Sequence, residues 1–442
     1  MSIISLLVML LVAVVFLCIL SLASSKGAVL SPQFGFATCF IPGIIYALMY
    51  VDKWNLQLSG YTLFTIILGV SIFITVSTIT SWLCRIYKKE KLRRGRITEG
   101  NVIGNVNDYI TQWKLALIII LQLFTLVSTL LFLFRNFGTD LSAAMMSFRI
   151  SNNDITSTNY ITLPGTIRAI RRVCLASGFI MTYLFTNGLV YNNKKNRVAE
   201  LLCIFLTLLN SLTLGGRGDA LQLITAGVMQ YLIIERHKEG RKFIKIGNIL
   251  KIMVITIVII ATFAQVGELL GRNMSFINFN DYIAVYLSAE LKNLDTFIRS
   301  GVFGTNFISS QTMVNVVNLL GSLLGNTDWI HNLDNPYRFM NGYSLGNVST
   351  VFYAFMYDGG YIGTVIYTSI MAIICQIIFQ GATNANTEKK ISLSVVLYSY
   401  VWFTVIFSFF SDKFYEIIIN TNFVWMLFSW LVIRAFLLVK LK

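Results

Sequence analysis

The chain is short of charge, proline and histidine. Of its 442 residues, 12% are Asp, Glu, Lys or Arg, roughly half the share found in soluble domains. That excludes an ordinary soluble globular protein. Only four prolines occur, Pro32, Pro42, Pro164 and Pro336, and none lies at the centre of an apolar run. Transporters built on broken spans lose support from that, and no inverted repeat is visible. Two histidines, His237 and His331, are too few for a His-rich metal centre. The six cysteines, Cys18, Cys39, Cys84, Cys174, Cys203 and Cys375, form no CxxC pair, so neither a disulfide framework nor a zinc site is indicated. They read as buried packing groups. No metal and no cofactor is expected.

What the chain has is apolar sequence. It is 56% hydrophobic, with a mean hydropathy of +0.70. A membrane-crossing helix needs about 20 apolar residues. The apolar runs are continuous, whereas a membrane β-barrel alternates over segments of about ten residues. The fold class is therefore all-α, a polytopic integral membrane protein read as a single membrane domain over 1–442. We expect about eleven spans, within a range of about ten to twelve. They lie near 3–24, 34–51, 60–83, 114–134, 172–191, 198–214, 218–234, 247–267, 350–379, 391–410 and 417–438. The first run has no basic leader and no small-residue cleavage site, so it reads as a retained span.

Twenty-three of the 35 lysines and arginines fall in one set of connections. The basic-inside rule makes that set cytoplasmic. The KKEKLRRGR stretch, Lys88 to Arg96, is its densest part and suits lipid headgroups. The excess of basic charge points to a bilayer surface. No basic, aromatic-interleaved soluble segment exists, so no nucleic acid partner is expected. Two long loops fall on the other face, 135–171 and 268–349.

The larger loop is polar, aromatic-rich and partly helical. Ile283, Leu287, Leu291, Leu294 and Ile298 recur at helical spacing, with Asn280 as a start signal and Gly301 as a stop. A second amphipathic run holds Ile308, Met313, Val316, Val317, Leu320, Leu323 and Leu324. Such helices lie on a membrane surface or pack on the span bundle, and periodicity alone does not choose. Arg272, Arg299 and Arg338 sit where the basic-inside bias depletes arginine; such residues are solvated, paired or anion-binding. The guanidinium fork suits phosphate.

In the smaller loop, LPGTIRAIRRV places Arg168, Arg171 and Arg172 on one helix face. Thr162 and Pro164 mark the helix start, where the helix dipole also favours anions. The group suits a lipid-linked diphosphate or an ordinary anionic headgroup. Between the sixth and seventh spans, SLTLGGRGDAL puts Arg217 in a glycine-rich turn beside Asp219. Glu268, Asp328, His331 and Asp334 are candidates to deprotonate an acceptor hydroxyl. Tyr282, Tyr286, Phe307, Trp329, Tyr337 and Tyr343 suit sugar stacking or interfacial anchoring.

The exit of the large loop reads GYSLGNVSTVFYAFMYDGGYIGTVIYTSIMA, Gly342 to Ala372. This G-N-x-x-T element, then aromatics, then D-G-G-x-x-G is similar to the Wzy-type O-antigen and capsule repeat-unit polymerases. Gly346, Asn347, Tyr357, Asp358, Gly359, Gly360 and Gly363 carry the likeness. Arg217 within GGRGDAL resembles the family's small-residue/Arg/Gly element, and YLSAELKNLD, Tyr286 to Asp295, its periplasmic loop opening. Gly359 and Gly363 also read as a small-xxx-small helix contact.

The resemblance implies a metal-independent, GT-C-like glycosyltransferase of the bacterial inner membrane, working at the periplasmic face. It would move a growing glycan from one undecaprenyl diphosphate to the sugar of another. A polysaccharide chain-length regulator is a candidate partner. Arg217, His331, Glu268 and Asp358 form the candidate catalytic set. Arg168, Arg171, Arg172, Arg272, Arg299, Arg338, Asn347 and Tyr343 are the candidate diphosphate and glycan contacts. The rival readings are an O-antigen ligase of similar chemistry and a lipid-linked oligosaccharide flippase.

Overall fold

The structure is a computed structural model. It describes residues 3–93, 105–240, 247, 254, 265–267, 270, 278–303 and 310–439, with the side chains of 89–93 excepted. Among these residues the first helices are α1 (Ile3–Ser24), α2 (Pro32–Thr38), α3 (Phe40–Met49) and α4 (Gly60–Arg93). Then come α5 (Gln112–Phe137), α6 (Leu141–Asn153), α7 (Gly165–Val190), α8 (Arg197–Leu212) and α9 (Gly218–Glu239). The polar region holds α10 (Phe279–Ser300), α11 (Val314–Leu324) and a hairpin of β1 (Arg338–Met340) and β2 (Tyr343–Gly346). The chain ends with α12 (Val351–Thr383), α13 (Leu393–Ile406), α14 (Lys413–Ile418) and α15 (Thr421–Leu438).

Seven helices among the described residues are long and apolar enough to cross a membrane: α1, α2 with α3, α4, α5, α7, α12 and α15. This is an α-helical membrane protein. The expected spans at 198–214 and 391–410 are shorter helices, of 16 and 14 residues. The one at 218–234 is 22 residues long but falls short in apolarity, because Gln222, Thr225 and Gln230 interrupt it. The expected span at 247–267 lies almost wholly outside the described residues. Hydropathy windows add flanking apolar residues that the backbone leaves out of these helices.

Where the sequence reads as one membrane domain, the structure divides into two compact units, each discontinuous along the chain. The first comprises 1–97, 277–380 and 401–420; the second comprises 98–276, 381–400 and 421–442.

In the first unit, aromatic rings from distant segments interlock. Phe36 stacks on Phe73 at 4.1 Å between centroids, and Phe40 stacks on Phe352 at 5.6 Å. Gly69 makes room for this, since a Cβ there would lie 2.0 Å from the Phe352 ring. A second cluster joins Tyr50, Trp54, Ala284, Ala289 and Leu345.

Helix α10 is enclosed on nearly every side. Residues 288–295 are all buried, including Glu290, Lys292, Asn293 and Asp295. It therefore packs within its unit instead of lying on a surface. Its polar groups are matched along segment 50–62. Tyr50 donates to Asp281 at 2.7 Å, and Lys292 donates to the Asn55 carbonyl at 2.7 Å. Asp295 accepts from the Ser59 N–H and the Thr62 hydroxyl, both at 2.7 Å. Its N-cap is Asn278, whose side chain accepts from the Asn280 N–H, two residues before the expected Asn280. Gly301 ends it in the left-handed conformation, as its sequence predicts. Helix α11 buries Val314, Val317 and Gly321 and exposes Leu319, Leu320, Leu323 and Leu324.

In the second unit α7 is the central helix. Gln122 of α5 bonds Ser177 and Thr207 across to α7 and α8. Trp430 of α15 donates to the Ala176 carbonyl at 3.1 Å. Lysines close two helix ends: Lys114 donates to the Leu437 carbonyl at 2.9 Å, and Lys238 to that of Val190 at 2.5 Å. A cation there meets both the orphan carbonyls and the negative end of the helix dipole.

Candidate functional site

The arginines of the second unit gather where α7 begins. Pro164 precedes the helix with φ −48, so Arg168, Arg171 and Arg172 fall in its first turns. Arg171 is 5% exposed. Its Nη1 donates to the Thr213 hydroxyl at 3.0 Å, while Nη2 is buried without a hydrogen-bond partner among the described residues. Asp219 is within electrostatic reach of it.

Thr213 opens the turn between α8 and α9, which carries Arg217. Gly215 in that turn has φ +73, and a Cβ on it would meet the Met145 carbonyl at 3.1 Å. Both the backbone conformation and the close approach select glycine there. Arg217 is 6% exposed and forms the N-cap position of α9. Contact through Thr213 thus brings the α7 arginines and the GGRGD turn together.

Arg168 and Arg172 differ from Arg171. Arg168 is exposed, and its Nη2 donates to the Leu163 carbonyl at 3.3 Å. Arg172 is half-buried and lies close enough to Arg168 for the two charges to repel. Among the described residues no carboxylate pairs with either. Two like charges at a helix start, with no counter-ion among the described residues, suit an anion.

The first unit holds a second cationic group. Lys292, buried in α10, has its pKa lowered by burial and then by the nearby positive charges of Arg299 and Arg338, against the pull of Asp295. Arg299 Nη1 donates to Gln57 at 2.6 Å. Arg338 begins β1 and lies in electrostatic reach of Tyr353.

Beside it runs a network linking residues 310–312, 329–335 and the start of α12. Asp358, 4% exposed, accepts from the N–H groups of Gln311 at 3.0 Å and Thr312 at 2.6 Å. Its carboxylate is thereby committed to holding the entry to α11. His331 has Nδ1 at 2.9 Å from the Trp329 carbonyl and Nε2 at 3.0 Å from that of Ser310. Both ring nitrogens are thus occupied by backbone. Asp334 is exposed and accepts from the Tyr357 hydroxyl at 3.1 Å. Its carbonyl accepts from Tyr353 at 2.6 Å. Tyr337 and Phe339, both exposed, face each other at 5.1 Å.

Asn347 is exposed, just past β2. Tyr343 packs against the Tyr50 and Trp54 cluster. Glu268 and Arg272 lie outside the described residues.

Sequence reasoning missed Lys292 and Glu290, both within YLSAELKNLD. The signal was present: charges fall on successive faces of that helix, which a surface helix with one apolar side would not show. It also missed the hairpin that positions Arg338. Asn341-Gly342, at φ 49 and φ 80, is the two-residue turn that such hairpins favour.

Compared with protein-family models, curated proteins and solved structures, the chain matches none.

Proposed function

We propose that this protein is a membrane glycosyltransferase that polymerises undecaprenyl-diphosphate-linked oligosaccharide repeat units. The fold we propose for it is GT-C-like, set in the bacterial inner membrane with its working face periplasmic. The observation that carries the reading is the arginine group at the start of α7. Among the described residues Arg168 and Arg172 have no carboxylate partner, and Arg171 keeps a spare donor. A diphosphate leaving group develops negative charge as the glycosyl bond breaks, and fixed guanidinium donors stabilise it.

Arg217, buried in the α8–α9 turn, adds a further cation to the same group. Taken by itself, the first unit offers the cations Lys292, Arg299 and Arg338 and the exposed rings of Tyr337 and Phe339 as glycan contacts, and Asp334, an exposed carboxylate oriented by Tyr357, as a base. His331 and Asp358 then serve by position, holding residues 310–312 in place.

The test compares polysaccharide ladders made by Arg172→Ala, Arg168→Ala and Asp334→Asn in cells with matched protein levels. Arg172→Ala is expected to shorten chains, and Asp334→Asn to lower extension by at least about a hundredfold. Full-length ladders from all three variants would remove these residues from the reaction.

A further inference from the structure

We propose that the first unit contains a buried alkali-metal cation site, built from Glu290, Asn293 and Thr350 and filled by sodium. It stands independently of the glycosyl-transfer reading.

Glu290 is 1% exposed, and neither carboxylate oxygen has a hydrogen-bond partner among the described residues. Among the described residues no cationic side chain acts on it; burial pushes the carboxyl well above its usual range, opposed only by its own backbone N–H. Burying a carboxylate without a counter-charge or hydrogen bonds is strongly unfavourable. Something else must satisfy it.

Two more buried oxygens, one on the same stripe of α10 and one at its edge, are in the same condition. Tyr286, Glu290, Asn293 and Phe297 form one stripe of α10, at spacings of four, three and four. Tyr286 stacks on Phe410 at 6.2 Å. Asn293 Nδ2 donates to the carbonyls of Leu345 and Val348, at 3.1 and 2.8 Å. Phe297 meets the Tyr353 ring at 4.6 Å. Glu290 therefore faces the ground between residues 348–353 and 408–410. The Val351 N–H joins those two segments by donating to the Ser408 carbonyl at 2.9 Å. Thr350 lies at that junction, 3% exposed, and its hydroxyl also lacks a partner. So does Asn293 Oδ1, because only the amide nitrogen is used.

The donor set is thus one carboxylate, one amide oxygen and one hydroxyl, all hard oxygen ligands. A hard cation fits them, and a single negative charge balances a monovalent one. Among the described residues no three His, Cys, Asp or Glu side chains gather as a divalent or transition-metal site would require. The role is structural: the ion ties α10 to the start of α12, where the G-N-x-x-T element ends.

The test uses the full-length protein purified in detergent. Binding of radioactive sodium is measured alongside thermal unfolding in sodium chloride and in choline chloride at equal ionic strength. The expected result is saturable binding of one sodium per chain and stabilisation by sodium alone. Glu290→Gln and Thr350→Val should each weaken sodium binding at least tenfold. Equal stabilisation by both salts, or sodium binding unchanged in Glu290→Gln, would overturn the site and leave Glu290 as a protonated acid. Should Glu290→Gln fail to fold, Thr350→Val decides, since it keeps the side-chain shape and removes only the hydroxyl.

Discussion

Asp281 shows how little a charged residue's type says about its work. In sequence it is one more acid in a polar loop. In the structure its carboxylate takes the Tyr50 hydroxyl at 2.7 Å and the Lys53 ammonium at 3.2 Å. The Tyr50 bond, and then Lys53, hold its pKa below the usual carboxylate value. The unfolded chain therefore takes up this proton first, near pH 3.9. The stability from these contacts is complete above that value and is lost as pH falls towards the lower folded one. Unfolding midpoints followed from about pH 6 to about pH 3 should drop more steeply for the wild type than for Asp281→Asn. Parallel curves would mean that the contacts contribute nothing. Arg299, an expected substrate contact, already has a protein partner in Gln57. Arg172 is the reverse, since nothing in its LPGTIRAIRRV context says whether an acid will reach it.

At the scale of elements, the DGG stretch of α12 is the most telling. Gly360 has φ 57 and ψ −141, which breaks the helix between two halves. That region is open essentially to glycine alone, and another residue forced into it costs about 1–3 kcal/mol. The halves then approach so closely that a Cβ on Gly363 would sit 2.4 Å from the Phe355 carbonyl oxygen. A Cβ on Gly359 would meet nothing within 4 Å. Gly360→Ala should lower the unfolding temperature by several degrees, whereas Gly359→Ala should leave it nearly unchanged. Equal effects from both substitutions would show that the break is not what glycine supplies there. The small-xxx-small reading thus resolves into a kink at one glycine and a tight contact at another. Scarcity of proline did not foretell this break, because glycine makes it instead. The amphipathic pattern of 283–298 did foretell a helix and its Gly301 end. It missed the enclosure, since a carboxylate or an ammonium can be buried wherever a distant backbone supplies its partner.

At the scale of the whole molecule, two compact units interleave along one chain, each with its own cationic group. If the protein is a polymerase, loss of its gene leaves surface polysaccharide bearing a single repeat unit. A ligase would leave the acceptor core bare, and gel electrophoresis of the extracted glycolipid separates the two results. Persistence of long chains would remove both readings.

The sequence by itself determined the helical membrane class, because span-length apolar runs leave the backbone no other way to satisfy its hydrogen bonds in lipid. It determined the arginine face of α7, because three residues at helical spacing need no distant partner to be aligned. Tertiary structure alone decided which charges are occupied. Asp358 is spent on two N–H groups of residues 311 and 312, and Asp295 on residues 59 and 62. Among the described residues Arg168 and Arg172 keep no acid partner, and the buried Glu290 carboxyl has no hydrogen-bond partner from another residue. Such pairings join positions tens to hundreds of residues apart, and hydropathy and local spacing carry no record of them.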